Sequence, residues 1–394
     1  MKTVLKWVLR IVLALALAAI VVGVWKREAL TRLMAVNSLF SQENIVTNFS
    51  HMDRAFLTVP LARAVDDPAP LDQGASLALS PSIEQWITDR SVTSLVVLKD
   101  GQRVVDNYFL GTKPEDLRIN WSVSKSYLSV LFGILFDEGA IASIDDQVTK
   151  YVPMLAGSAY DGATIRNVLQ MSSGVTFDED YLKFSSDINK MGRVLALGRS
   201  MDAFTADLTE RDAPAGDHWQ YVSIDTHVIG MVIRGATGRN IAELMTEKVI
   251  GPLGLEADPS FLTDGYGVEF VLGGLNTTTR DNARFGQMIA NGGIWEGQQI
   301  VPEAWITEST RPSAKTAEGE IGYGYQWWSL GDGAYMARGI FGQGIFIDPS
   351  RNLVIASNSN WPQATDAQGG DQEQQRLAFY RQVQLAIDKQ APAQ

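Results

Sequence analysis

Asn120-Trp-Ser-Val-Ser-Lys-Ser-Tyr-Leu-Ser-Val-Leu-Phe-Gly-Ile-Leu-Phe136, closed by Asp137-Glu138-Gly139, decides how this chain is read. Val123, Tyr127, Val130, Leu131 and Ile134 fall at i, i+4, i+7, i+8 and i+11, one face of an α-helix. Leu128, Phe132 and Leu135 cover a second face, so the helix is expected to be buried nearly all round. The remaining stripe, Ser122, Ser126, Ser129 and Gly133, is small enough for another segment to pack very close. Lys125 is the anomaly. It is the only charged residue between Arg118 and Asp137, one turn into a buried helix. Without a local acid it either meets a distant partner or gives up its proton, because desolvation disfavours the ammonium form.

Ser122 and Lys125, three residues apart, share a helix face and lie within mutual reach. A serine hydroxyl is a poor nucleophile until a neighbour takes its proton, and a neutral buried lysine can do so. The helix N-terminus adds a backbone N–H and a positive dipole end where an acyl oxyanion would form. Ser-x-x-Lys alone arises about once by chance in a chain of this size and average composition. An N-cap serine followed by a lysine that snorkels to solvent is the competing reading.

Outward from this helix, Thr93–Lys99 and Arg103–Phe109 are β-rich runs joined by Asp100-Gly101, a hairpin signature. Helical patterns follow at Thr164–Gln170, Thr226–Ala236, Ile241–Ile250 and Arg280–Ala290. Short β-rich runs recur at Ala334–Arg338, Gly344–Ile347 and Leu353–Ser357, and a polar helix spans about Gln372 to Lys389. Strands at both ends of a helical block predict an α+β fold, an α/β sandwich: one antiparallel sheet completed by the C-terminus, flanked by helices, with a mostly helical part inserted. The expected division is an anchor at 1–30, a tether and lead-in segment at 31–80, and a catalytic domain at 81–390. Within that domain the sheet part is 81–121 plus 325–390, and the helical part is 122–324. The lead-in, with Pro60, Pro68 and Pro70, is not expected to carry chemistry.

At the N-terminus, Ile11–Trp25 is uncharged, and counting back to Val4 gives the length needed to cross a bilayer. Basic clusters flank it, and the Ala-x-Ala triplets lie inside the apolar run rather than after it, which favours an uncleaved single-pass signal anchor over a cleaved peptide. The body is then expected on the periplasmic side of an inner membrane. Formal charge is −12 overall. The first 35 residues hold six basic residues against Glu28, so the remainder carries 27 − 44 = −17, which disfavours nucleic acid as a partner. Zero cysteine excludes disulfides, thiolate zinc sites and a Cys nucleophile. His51, His218 and His227 lack metal-ligand spacing, and Asp178–Asp180 lacks a calcium-loop pattern, so no metal or other cofactor is expected. There is no Gly-x-Ser-x-Gly elbow and no dinucleotide or P-loop fingerprint.

The run Trp121-Ser-Val-Ser-Lys-Ser126 resembles the first active-site motif of the penicillin-recognising serine hydrolases. Within these it is most similar to the class C β-lactamase-related group of 6-aminohexanoate-dimer hydrolases, esterases and D-amino-acid peptidases. Ile144–Pro153, Thr164–Gly174, Pro252–Leu255 and Gly273-Gly274-Leu275 with Arg280–Arg284 follow in the order of that group, so the resemblance covers about 90–385. It implies a β-lactamase/transpeptidase-like fold and catalysis by Ser122 and Lys125. Tyr221, in Tyr221-Val222-Ser223, takes the place of the second motif and is implied to shuttle protons. Ser223 stands where asparagine is usual and is implied in substrate binding, though a hydroxyl cannot both donate and accept as an amide does. The third motif is replaced by Gly339-Ile-Phe-Gly-Gln-Gly344, which lacks a cation for a substrate carboxylate. Gly342 permits close backbone approach, and the N–H of Gln343 is the expected second oxyanion donor. The resemblance also makes Tyr181 a residue that closes over substrate.

The function expected is a serine hydrolase that cleaves amide or ester bonds of a small molecule through an acyl-enzyme on Ser122. A D-stereospecific peptidase or β-lactamase is the alternative enzyme. A catalytically silent binding or scaffolding protein is the alternative of another class, and the oligomeric state is left open.

Overall fold

The structure is a computed structural model that describes residues 2–63, 68–316, 321–364 and 372–390. Seven strands form one antiparallel sheet: β1 (Val92–Lys99), β2 (Gln102–Tyr108), β3 (Ile321–Tyr323), β4 (Trp328–Leu330), β5 (Tyr335–Arg338), β6 (Gly344–Asp348) and β7 (Leu353–Ser359). Their order is β2-β1-β7-β6-β5-β4-β3, so the C-terminal strands complete the sheet that the N-terminal hairpin begins. Asp100 and Gly101 both take left-handed φ, 53° and 78°, as a two-residue hairpin turn requires.

The helices that frame the site are α1 (Lys2–Trp25), α2 (Arg27–Asn37), α3 (Pro81–Asp89), α4 (Val123–Asp137), α5 (Asp187–Ala196), α6 (Ser223–Thr237), α7 (Thr279–Ala290) and α8 (Gln372–Gln390). The run Leu95-Val-Val-Leu98 is apolar on both sides because the sheet is covered on both faces. Leu95 and Val97 pack with Ile83 of α3 and Phe379 of α8, whereas Val96 and Leu98 join the larger core that holds α4, α6 and α7.

Two features differ from the sequence reading. A second antiparallel sheet joins the lead-in and the sheet part to the helical part, pairing Leu57–Pro60, Ser260–Thr263, Leu275–Thr277 and Arg118–Ile119 in that order. Its strands are two to four residues long, too short to show a period of two. The lead-in segment is also not a free tether: Leu39, Ile45, Phe49, Met52 and Phe56 are buried in the core. Part of it, 64–67, lies outside the described residues.

The small-residue stripe of α4 does what its spacing implies. Ser126 Oγ donates to Gln326 O at 2.8 Å and Ser129 Oγ to Tyr325 O at 2.7 Å, while Trp305 Nε1 donates to Ser129 O at 2.9 Å. A Cβ on Gly133 would stand 2.1 Å from Cδ1 of the Trp305 ring. Both groups are buried, so Gly133→Ala is expected to cost about 1–3 kcal/mol. Thermal unfolding of the full chain in detergent should show it as a Tm lowered by several degrees.

Candidate active site

The small sheet delivers the chain into α4. Asn120 N–H donates to Leu275 O at 2.8 Å, and its side-chain amide donates to Thr277 Oγ1 at 2.9 Å. Trp121 then takes a left-handed φ of 45°, a strained conformation for a bulky residue. Ser122 stands at the N-cap position of α4 but makes no capping bond with its side chain. Its hydroxyl is engaged elsewhere: Lys125 Nζ donates to Ser122 Oγ at 3.1 Å and to Leu272 O at 2.6 Å. Lys125 is only 2% exposed, so the competing picture of a capping serine with a snorkelling lysine does not describe this helix. Burial lowers the Lys125 amine from 10.5 to about 7, against the opposing charge of Glu179. Ser124 Oγ accepts from Leu275 N–H at 3.1 Å and so fixes the loop whose carbonyl binds the lysine.

Tyr221 sits over this pair. Lys125 Nζ lies 5.6 Å from the centre of its ring, and burial chiefly raises the pKa of its phenol, with the nearby Ser122 and Ser223 hydroxyls acting against that rise. The ring stacks on Trp328 at 5.6 Å and meets Tyr323 edge-on at 6.4 Å. Arg338 lies over the Trp328 ring at 3.6 Å and pairs with Glu373 at 2.6 Å. A cation therefore stands one wall away from the site although Ile340 and Phe341 carry none.

Glu179 is the site residue that sequence reasoning missed. Its carboxylate accepts the Ser223 backbone N–H, the Ser223 hydroxyl at 3.2 Å and the Tyr181 hydroxyl at 3.2 Å. Desolvation pushes it up, while the Ser223 bonds and the Lys125 charge pull it down. No spacing links position 179 to 223. The only trace was an acidic run ahead of Tyr181. Ser223 therefore lines the pocket as part of a Glu179–Ser223–Tyr181 network. Beneath it, Asp225 accepts from Tyr160 Oη and Ser173 Oγ, each at 2.7 Å, and burial pushes its carboxyl up to about 7. The Ser172-Ser173-Gly174 stretch is thus a support for α6.

The third-motif region departs from expectation. Gly342 and Gln343 do not line the pocket. A Cβ on Gly342, at φ 95°, would stand 2.4 Å from Trp361 Nε1, and Gln343 Nε2 donates to Ser359 O at 3.1 Å. The close approach that Gly342 permits is to the Trp361 ring. Ile340 and Phe341 face the pocket instead, and Gly339 abuts the Asn120 carbonyl and Trp121. Phe341, left-handed at φ 62°, stacks on Phe40 at 4.9 Å and meets Phe49 edge-on at 5.3 Å. Trp121 lines the site and Trp219 packs with Tyr221, but Trp327 is core, stacked on Phe285. His218 pairs loosely with Asp217 at 3.4 Å and lies outside the pocket. Among the described residues no group of three His, Asp or Glu side chains is placed to hold a metal.

These residues open into a cavity of about 450 Å³ lined by Trp121, Ser122, Tyr181, Ser223, Leu272, Ile340 and Phe341 and by Leu39 and Phe40 of the lead-in. The Ser122 hydroxyl reaches this cavity, with the buried Lys125 amine bonded to it and the Tyr221 phenol beside that amine, the equipment for serine-based acyl transfer.

The chain belongs to the β-lactamase family, whose model matches residues 83–379. Its fold and its relatives make it a serine hydrolase of that family. It is 32% identical over 299 residues to the 6-aminohexanoate-dimer hydrolase of Paenarthrobacter ureafaciens, covering 72% of this chain and 76% of that one. A Bacillus anthracis structure provisionally assigned as a 6-aminohexanoate-dimer hydrolase superposes with a TM-score of 0.77 at 22% identity, over 90% of this chain and 97% of the other. A family VIII carboxylesterase shares the fold with a TM-score of 0.58 at 18% identity, over 79% and 99% of the two chains.

Proposed function

We propose that the chain hydrolyses amides or esters of small molecules through an acyl-enzyme on Ser122, in the manner of the 6-aminohexanoate-dimer hydrolase and carboxylesterase relatives. The observation that carries this is the 3.1 Å contact between Lys125 Nζ and Ser122 Oγ, with the lysine buried. Lys125 takes the hydroxyl proton as Ser122 Oγ bonds to the carbonyl carbon, and the oxyanion is received by the Ser122 N–H with the backbone N–H of Ile340 as second donor. Tyr221 passes the proton to the departing amine or alkoxide as the C–N or C–O bond breaks. Water then adds to the acyl-enzyme, gives up a proton to the same pair and releases the acid. Glu179, Ser223 and Tyr181 hold the wall against which the acyl group lies. The Ser223 and Ile340-Phe341 substitutions argue against a β-lactam or peptide bearing a carboxylate as the preferred substrate.

We assign residues 1–30 to a membrane anchor, 31–80 to a lead-in and 81–390 to the hydrolase domain. Thr3–Trp25 is long and apolar enough to cross a bilayer, with a mean hydropathy of 2.6. In this reading the body stands on the periplasmic face of an inner membrane.

The test is steady-state turnover of p-nitrophenyl acetate, the linear dimer of 6-aminohexanoate and benzylpenicillin by the full chain. Cleavage of the ester, with the carboxylate-bearing dimer cleaved more slowly and penicillin untouched, is expected. Penicillin as the best substrate would overturn the assignment. The rate should also rise with pH through about 7 and level off above it, because only the neutral Lys125 amine accepts the proton. The Glu179 charge raises the Lys125 pKa, so Glu179→Gln is expected to move that rising limb to lower pH. An unmoved limb would mean the carboxylate does not act on the lysine.

A further inference from the structure

Helix α2 begins one residue after α1 ends, with only Lys26 between them. It does not lead away from the body. Arg32 Nε donates to Ala196 O at the end of α5, and Ala35 and Val36 pack on the core. Val36, Asn37, Leu39 and Phe40 then form one lip of the pocket that holds Ser122. The rim continues in the loop and helix carrying Leu182, Phe184, Ile188 and Met191, against which α2 packs. A segment that leaves a membrane-length helix therefore ends as a wall of the active site.

The rim is unusually apolar for free surface. Phe184 is 77% exposed, Met34 65% and Leu182 54%, with Leu30 and Phe40 also exposed. Leu30 and Met34 are spaced i, i+4 on α2 and extend the apolar strip from the pocket toward α1. Around this strip the charge reverses. Residues 26–40 and 178–199 hold Lys26, Arg27, Arg32, Lys183, Lys190, Arg193 and Arg199 against Glu28, Asp178, Glu179, Asp180 and Asp187, or 7 − 5 = +2, in a chain of −12, with Lys183 paired to Asp178 and Lys190 to Asp187. Arg193 lies over the Phe184 ring at 4.2 Å and donates to Phe184 O at 2.9 Å, holding that exposed phenyl in place. An exposed aromatic and aliphatic strip bordered by cations, on a body otherwise anionic, has the make-up of a surface that lies on anionic lipid.

We infer that the pocket mouth rests on the bilayer into which α1 inserts, and that the substrates of this site are amphiphilic acyl esters or amides whose hydrocarbon chain enters from the lipid between Phe40 and Phe184. This rests on the hydrolase and anchor readings above. Among the pocket-lining residues only Arg193 is charged, so the acyl chain meets apolar side chains along its path while the carbonyl reaches Ser122.

The chain contains no cysteine, which allows a single label to be placed at will. Full-length protein carrying a bimane through Phe184→Cys, and separately through Leu385→Cys on α8, would be reconstituted in vesicles of phosphatidylglycerol and phosphatidylcholine with nitroxide-labelled lipid. Quenching of the label at 184 but not at 385 is expected, together with a kcat/KM for vesicle-borne p-nitrophenyl dodecanoate at least about tenfold above that for the acetate, the ratio expected from burying two or more extra methylenes. Met34→Glu, outside the pocket lining, should reduce quenching at 184 in these anionic vesicles. Equal quenching at both positions, or none at 184, overturns the inference while leaving turnover intact. Equal rates on the two esters overturn the substrate class. Cleavage of neither ester instead removes the hydrolase reading, and failure of the full chain to float with vesicles removes the anchor reading.

Discussion

Ser122→Ala is expected to leave the chain folded and to lower ester and amide turnover by roughly 10,000-fold or more. Ser122 Oγ bonds within the site, to Lys125 Nζ, and its side chain caps nothing in α4. Its removal should therefore leave the thermal unfolding of the chain near that of the parent. A variant that kept more than a few per cent of the rate would mean that Oγ is not the atom acylated. A second serine cannot easily substitute: Ser124, Ser126 and Ser129 are committed to Leu275 N, Gln326 O and Tyr325 O.

Lys125→Met should be nearly as damaging, by about 1,000-fold or more, because it removes the proton acceptor without changing side-chain bulk. Two further readouts separate this from mere misfolding. The rising limb near pH 7 should vanish from whatever rate remains. Stability should respond as well, since the folded-state pKa is about 7 against an ordinary 10.5. Between those values the unfolded chain binds more protons than the folded one, so Lys125 makes stability rise with pH across that window. The variant should lose that slope. A parent whose stability is flat from pH 7 to 10 relative to Lys125→Met would show that the amine keeps its proton in the folded chain.

Much of this architecture was written locally. The 3.6-residue period of 123–134 places α4 in the core, and its stripe of serines and Gly133 foretells the segments 325–327 and Trp305 that close on it. The hairpin at Asp100-Gly101 carries its own backbone signature. The meeting of Ser122, Lys125 and Tyr221 was legible because two of them share a helix turn and the third stands in an ordered series of motifs. What could not be read depends on contacts between distant residues. Glu179 reaches Ser223 across 44 positions, and nothing at either position announces the other. Gly342 has the permissive backbone that sequence suggests, but which neighbour exploits it, Trp361 rather than a ligand, is settled only by the fold of 359–361. Leu39 and Phe40 looked like part of a linker because the ring on which Phe40 stacks, Phe341, lies about 300 residues further along the chain. An apolar pair in a turn has no periodicity to show what it covers.

The alteration of the second and third motifs fits one pattern. An apolar pocket wall replaces the cation and amide that would hold a carboxylate and a peptide group. The polar atoms that remain, on Glu179, Ser223 and Tyr181, bond to one another. In the proposed reading, recognition at this site shifts from charge toward shape and apolar burial, where each methylene contributes about 0.8 kcal/mol.

The most direct test of the account is the mass and location of a covalent adduct. The full chain would be incubated with a fluorophosphonate and, separately, quenched within seconds of mixing with a p-nitrophenyl ester, then digested and sequenced by mass spectrometry. One phosphonyl group and one transient acyl group on the peptide that contains Ser122, both absent from Ser122→Ala, are predicted. Turnover of the ester with either adduct mapped to another residue, or with no adduct at all, would contradict an acyl-enzyme on Ser122.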